Sequence, residues 1–181
     1  MNYRQQLKQI KALVFDVDGV FSKFMLLDPD GRLLRTMNPK DGLAIKIAVQ
    51  QGFKIAIISG AKEPSIRKRF QMLNVQDIYL GKTEEKLLAF EEFLSKYKFS
   101  TEQVLYMGDD ITDYFVMQKA GFGACPADAA PEIKGIADYI SQLPAAEGCV
   151  RDIVEQVLRV QNKWEKFLDH LQQVYQSKKA L

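Results

Sequence analysis

The chain has 181 residues and a net charge of +2, from 25 Lys and Arg against 23 Asp and Glu. That length fits one domain, and the charge balance argues against a nucleic-acid-binding protein or a polybasic membrane protein. Hydrophobic residues make up 47%, enough to build a core. No apolar run approaches the roughly 18 residues of a membrane span, and the polar start MNYRQQLKQIK has no signal-peptide stretch, so a soluble, cytoplasmic protein is expected.

The first element is a strand at 12–15, Ala-Leu-Val-Phe. Its unbroken apolarity suggests burial on both faces, as in a parallel sheet covered by helices. Residues 24–36 then read as a β-hairpin turned at Asp28-Pro29-Asp30-Gly31. It is an insertion where a helix would be the default. A helix is predicted over 41–51, with Leu43, Ile47 and Ala48 on one face and Gly52 as its stop. A second buried strand follows at 55–58, then a helix over 63–73 opened by Pro64. After a fainter strand at 78–80, a helix over 83–97 repeats Leu87, Phe90 and Leu94. The third buried strand is 104–107, followed by a helix over 110–120 closed by Gly121 and fainter strands at 122–124 and 139–140.

No Gly or Pro interrupts 150–175, where Ile153, Val157, Val160, Trp164, Phe167, Leu171 and Val174 follow the a/d spacing of a heptad seam. One long amphipathic helix is expected there, its far half packing on another subunit. The alternation of strands and helices predicts an α/β fold: a doubly wound, mostly parallel sheet with helices on both faces. The expected organisation is one domain over 1–158 with a helical extension over 159–181.

In such a sheet, ligands bind beyond the carboxyl ends of the strands. The residues at those ends are Asp16-Val17-Asp18-Gly19, Ser59-Gly60 and Gly108-Asp109-Asp110 with Asp113. Residues two apart at a strand end point the same way, so Asp16 and Asp18 face one spot. Like charges that close need a neutralising partner, and Mg²⁺ accepts one or two carboxylates plus water and phosphate oxygens. One carboxylate can then act as a nucleophile and the other as an acid/base. Asp-x-Asp-Gly also occurs in ordinary turns and in calcium loops, but the buried strand before it favours the chemical reading over a calcium loop. Ser59 offers a hydroxyl to a phosphate oxygen, or simply turns the chain. Lys86 neutralises phosphate, or is a solvated first-turn lysine. Helix capping explains one of Asp109, Asp110 and Asp113 but not all three.

Taken in order, Asp16-Val17-Asp18-Gly19-Val20, Ser59, Lys86 and Gly108-Asp109-Asp110-x-x-Asp113 resemble the motifs of the haloacid dehalogenase-like phosphatases. No spacing holds a large insertion, so there is no cap domain. The hairpin, Asn38-Pro39-Lys40-Asp41-Gly42 and Ala146-Glu147-Gly148-Cys149-Val150-Arg151 are similar to the capless 3-deoxy-D-manno-octulosonate 8-phosphate phosphatases of lipopolysaccharide sugar synthesis, over roughly residues 10–158. The resemblance implies a Mg²⁺-dependent phosphomonoester hydrolase working through an aspartyl-phosphate. Asp16 is then nucleophile and metal ligand. Asp18 is acid/base and gives its carbonyl to the metal. Asp109 is the third ligand, Ser59 and Lys86 hold phosphate, and Asp110 and Asp113 support them. Asp18, Asn38, Pro39, Lys40, Asp41, Gly42, Lys46, Arg69 and Lys86 contact a phosphorylated sugar acid, and hairpins build a homotetramer whose neighbours cover the sites. Two departures stand out: Ser22-Lys23-Phe24 replaces Thr-Asp-Gly, and Ser59-Gly60-Ala61 replaces Thr-Gly-Arg. The alternatives are a nonulosonate 9-phosphate phosphatase, another small sugar-phosphate phosphatase, or a regulatory module that has lost catalysis.

Overall fold

The computed structural model describes residues 2–179. In chain order the elements are α1 (Tyr3–Gln9), β1 (Ala12–Phe15), β2 (Met25–Leu27), β3 (Leu33–Arg35), α2 (Pro39–Gln50), β4 (Lys54–Ser59), α3 (Pro64–Gln71), β5 (Asp77–Leu80) and α4 (Lys86–Tyr97). They continue with β6 (Val104–Met107), α5 (Tyr114–Lys119), β7 (Phe122–Cys125), α6 (Pro131–Ile136), β8 (Tyr139–Ile140), α7 (Cys149–Val160) and α8 (Lys163–Lys179). Residues 1, 180 and 181, at the outer limits of the expected domain and extension, lie outside the described residues.

Six strands form one parallel sheet in the order β5-β4-β1-β6-β7-β8, while β2 and β3 pair apart as an antiparallel ribbon. Alternation along each strand explains the continuous apolar runs. Leu13, Phe15, Ile55, Ile57, Leu105 and Met107 enter the core shared with α1, α2, α3 and α7. Ala12, Val14, Ala56, Ile58, Val104 and Tyr106 face the core under α4, α5 and α6. Both faces are therefore covered, as expected of a doubly wound sheet.

The register positions the chemistry. Phe15 pairs with Ile57 on one side and Met107 on the other. The next residues of β1, β4 and β6 therefore leave the sheet along one edge.

Several boundaries differ from the sequence expectation. The N-terminal stretch forms α1, started by a reciprocal cap between Asn2 and Gln5 and anchored by buried Leu7. Helix α4 begins at Lys86 rather than 83, and residues 83–85 are loop. A single 3-10 turn over Ile111–Asp113 precedes α5, because Asp113 bends its carboxylate back onto the N–H groups of Asp109 and Asp110.

The expected long C-terminal helix is two helices. Asn162 adopts φ +55°, the left-handed conformation that ends a helix. Next to it, the Gln161 side chain donates to the carbonyls of Leu7 and Ile10. No helix among the described residues is long and apolar enough to cross a membrane.

Candidate active site

Lys86 is the centre of the site. As the first residue of α4 it lies beside β1 and β6, and its Nζ donates to Asp16 Oδ2 and to Asp113 Oδ1, each at 2.7 Å. Asp113 is fully buried and has no free edge. It also accepts from the Tyr106 hydroxyl at 2.5 Å and from the Asp109 N–H at 3.0 Å. Asp16 is fixed from its other side by the N–H of Val17, 2.7 Å from Oδ1. These contacts lock Lys86 and Asp16 in one orientation.

Asp109 completes the cluster. Asp16, Asp109 and Asp113 each offer an oxygen, and these atoms lie within 4.8 Å of one another. Burial first, then the charge of Asp113, pushes the Asp16 carboxyl up to about 7, against the pull of Lys86 and the Val17 N–H. Burial, Asp16 and Asp113 push Asp109 up to about 8. Burial pulls Lys86 down, but the two carboxylates outweigh it and its net direction is up.

The buried Asp16 and Asp113 and the half-buried Asp109 share one ammonium, and a hard divalent cation with oxygen ligands would let Asp16 and Asp109 carry their charges side by side. Asp113 is already saturated by Lys86, Tyr106 and backbone donors. Asp16 and Asp109 are therefore the carboxylates left to face a cation.

A cleft of about 410 Å³ opens over this cluster, walled by Asp16, Asp18, Ser59, Lys86, Asp109 and Asp110 among others. Ser59 is buried at the end of β4, and its hydroxyl accepts from the Ala61 N–H at 3.2 Å. A hydroxyl and an ammonium beside a carboxylate suit a phosphate whose charge must be held.

The haloacid dehalogenase-like hydrolase profile matches residues 77–153, which carry Lys86, Asp109 and Asp113. The 3-deoxy-D-manno-octulosonate 8-phosphate phosphatase of Escherichia coli K12 is 34% identical over 160 residues, spanning 88% of this chain and 85% of that one. The chain belongs to the haloacid dehalogenase-like phosphatases. Within them it falls in the family of that relative, and it is an enzyme. The crystal structure of the same phosphatase from Yersinia pestis superimposes with a TM-score of 0.87 at 32% identity, covering 90% of this chain and 88% of that chain. The Moraxella catarrhalis phosphatase, solved with magnesium ion, phosphate ion and KDO, gives a TM-score of 0.89 at 27% identity, covering 93% of this chain and 97% of that one.

In this haloacid dehalogenase-like phosphatase the structure brings together Asp16, Asp18, Ser59, Lys86, Asp109, Asp110 and Asp113. Asp110 is exposed and caps the turn by accepting from Ile111 N–H at 2.8 Å, so Lys86 is oriented by Asp16 and Asp113 instead. The other expected substrate contacts do not line the cleft. Asn38 caps α2 by accepting from Lys40 N–H at 2.9 Å, and Pro39 is the first residue of that helix. Asp41 is fully buried and accepts from Arg151 N–H at 2.7 Å, joining α2 to α7. The Arg69 guanidinium lies against Gly42. Lys40 and Lys46 are exposed on α2, outside the cleft.

Three residues near the site escaped the sequence reading. Thr83 and Thr112 line the cleft. Arg35, from the hairpin, reaches Asp18. Only the proximity of Thr83 to Lys86 and of Thr112 to Asp113 in the chain pointed to the first two.

Proposed function

We propose that this phosphatase hydrolyses a phosphorylated sugar acid, 3-deoxy-D-manno-octulosonate 8-phosphate, through a phosphoaspartate at Asp16 with Mg²⁺ as cofactor. The observation that carries this reading is the Asp16–Lys86–Asp113 arrangement at the carboxyl edge of the sheet, facing Ser59 and Asp109. It is supported by the substrate of the related phosphatases and by the ligands of the Moraxella structure.

In this reading an Asp16 oxygen attacks phosphorus, and the bond from phosphorus to the sugar oxygen breaks as the acyl phosphate forms. Asp18 gives its proton to the departing oxygen. It then takes one from the water that cleaves the acyl phosphate, which releases phosphate and restores Asp16. Lys86 and Ser59 hold the transferring oxygens. Asp16, Asp109 and the Asp18 carbonyl would hold Mg²⁺, which when bound supplies positive charge to the phosphoryl group. Asp113 keeps Lys86 in place.

Ala61 lies in the cleft wall where the family carries an arginine, so this chain must meet the sugar carboxylate with other cations. A nonulosonate 9-phosphate is the second substrate to test. The hairpin exposes Phe24, Met25, Leu26, Leu27 and Leu34, an apolar ribbon of the kind that seeks a partner. It supports the reading of a homotetramer assembled through hairpins; a charged metabolite as substrate fits an enzyme working in the cytoplasm.

The deciding measurement is phosphate release with Mg²⁺ from 3-deoxy-octulosonate 8-phosphate, a nonulosonate 9-phosphate and hexose phosphates. A clear preference for a sugar acid is expected. Equal rates on all of them would refute a dedicated substrate, and no release from any would refute a functioning phosphatase.

A further inference from the structure

The hairpin turns one charged side chain inward. Arg35, the last residue of β3, has a side chain only 6% exposed. Its Nε donates to Asp18 Oδ1 at 2.6 Å and its Nη2 to Asp18 Oδ2 at 2.9 Å. This is the two-pronged fork that gives an arginine–carboxylate pair its directionality. The third nitrogen, Nη1, lies 3.1 Å from Glu63 Oε2. Glu63 is the residue before α3, two positions beyond Ala61 in the loop that starts at Ser59. Neither Nη1 nor that Glu63 oxygen has an aligned hydrogen bond, so Glu63 holds the guanidinium by charge.

Arg35 bridges Asp18 and Glu63. Asp18 lines the cleft. Arg35 lines a separate recess behind it, with Met37, Ile66 and Arg69. A carboxyl group has about four positions for hydrogen bonds or a proton, two on each oxygen. The fork takes one on each oxygen, so one position on each remains for the proton that Asp18 gives and takes.

We propose that Arg35 is a positioning residue for Asp18, and that Glu63 in turn positions Arg35. The inference rests on the reading of Asp18 as the group that exchanges a proton with the departing oxygen. Asp18 sits on a loop, and a side chain there has freedom that the fork removes. A displacement of about 1 Å in a reacting group costs on the order of a hundredfold in rate. Lysine cannot reproduce the fork, since it offers a point charge. The hairpin thereby becomes part of the catalytic apparatus: where the ribbon docks sets where Asp18 points.

The test compares an alkyl with an aryl phosphate. The alkyl ester is whichever of 3-deoxy-octulosonate 8-phosphate and glucose 6-phosphate the wild type hydrolyses faster, and the aryl ester is 4-nitrophenyl phosphate. The aryl oxygen departs with little help from an acid, and kcat/KM reports only the steps through that departure. Arg35→Ala should lower alkyl kcat/KM by about a hundredfold and aryl kcat/KM by less than about threefold, with KM little changed. Arg35→Lys and Glu63→Gln, which keep the site filled and guard against a folding defect, should show the same selective loss at a smaller size. In an Asp18→Asn background, Arg35→Ala should add almost nothing, because the two act as one unit.

Equal losses on both esters would show a merely structural arginine and overturn the proposal. A rise in alkyl kcat/KM would show that the fork restrains Asp18, and losses that multiply in the double variant would show independent roles; either overturns it. If Asp18→Asn itself does not discriminate between the esters, the reading of Asp18 fails and this inference falls with it.

Discussion

The carboxylate of Asp109 lies directly over the Cα of Gly19: a Cβ at position 19 would stand 1.8 Å from Asp109 Oδ2. Gly19 also holds φ +81°, where side chains are strained. The loops after β1 and β6 therefore meet only because position 19 has no side chain. Gly19→Ala should cost about 1–2 kcal/mol in backbone strain alone and displace Asp109 from Asp16. We expect Mg²⁺ affinity to fall by about tenfold to a hundredfold, the size seen when the support of a metal ligand is lost. Isothermal titration would read it, and an unchanged affinity would show that Asp109 is not a ligand.

Asp16→Asn keeps the shape of the side chain and removes its nucleophilicity, so turnover should fall to background. The folded state should not suffer. Asp16 is buried beside Asp113, and its carboxyl is pushed up to about 7, so loss of its charge relieves repulsion. The metal-free variant should melt at or above the wild-type temperature near neutral pH. Intact-mass analysis after a rapid quench should find phosphate on the wild-type chain and none on the variant. Near-normal turnover in the variant would remove Asp16 from the mechanism.

Metal and pH should act together on stability. Burial and neighbouring carboxylates raise Asp16 to about 7 and Asp109 to about 8, from 3.8. The folded, metal-free chain therefore binds these protons more tightly than the unfolded chain. The stability they contribute is fully present below the unfolded value and is lost as pH rises through 7 and 8. Chelated protein should melt lower at about pH 8.5 than at about pH 6, and Mg²⁺ should restore more at the higher pH. At about a hundredfold excess over Kd the ion adds about 2.7 kcal/mol, a shift on the order of 5–10 °C for a chain this size. Thermal melts across pH with EDTA or Mg²⁺ check this, and a Mg²⁺ increment that shrinks with rising pH would contradict it.

What the sequence disclosed and what it concealed have physical reasons. The central strands were legible because burial on both faces leaves an unbroken apolar run, as in Ala12-Leu13-Val14-Phe15. The acidic edge was legible because parallel register forces Asp16 and Asp109 to emerge side by side. Arg35 was not. On β3 the alternation is inverted: Leu34 faces outward, 52% exposed, and the arginine faces in. Pattern reading places an arginine on the solvent side. The break between α7 and α8 was hidden too, since Asn162 is a weak stop signal and its effect depends on Gln161 reaching α1. Asp41 is an acidic residue yet is fully buried. Its partner, the N–H of Arg151 in α7, is far along the chain and leaves no local trace.

The C-terminal helix α8 divides into an anchored part and an exposed part, and this division sets what truncation should do. Trp164 is 4% exposed. The guanidinium groups of Arg151 and Arg159 lie 5.2 and 5.5 Å from its ring centre, so cation–π attraction adds to apolar burial. Phe167 packs against the same core. Beyond it Leu168, Leu171, Val174 and Tyr175 are exposed on α8. Removal of everything after Val160 deletes Trp164 and should cost about 3–5 kcal/mol, as loss of a buried tryptophan does, whatever the oligomeric state. Removal of everything after Phe167 spares that anchor. If the exposed face packs on a neighbouring subunit, closed symmetry repeats the loss at each copy, and the shorter truncation should lower the melting temperature and the assembly mass together. Leu26→Glu supplies the contrast, since it charges the hairpin ribbon without touching α8. Light scattering should then show the hairpin variant dissociating fully and the truncated chain dissociating in part, the more so on dilution. If the shorter truncation leaves mass and melting temperature unchanged, the free half of α8 contributes nothing to assembly and the hairpin carries it alone.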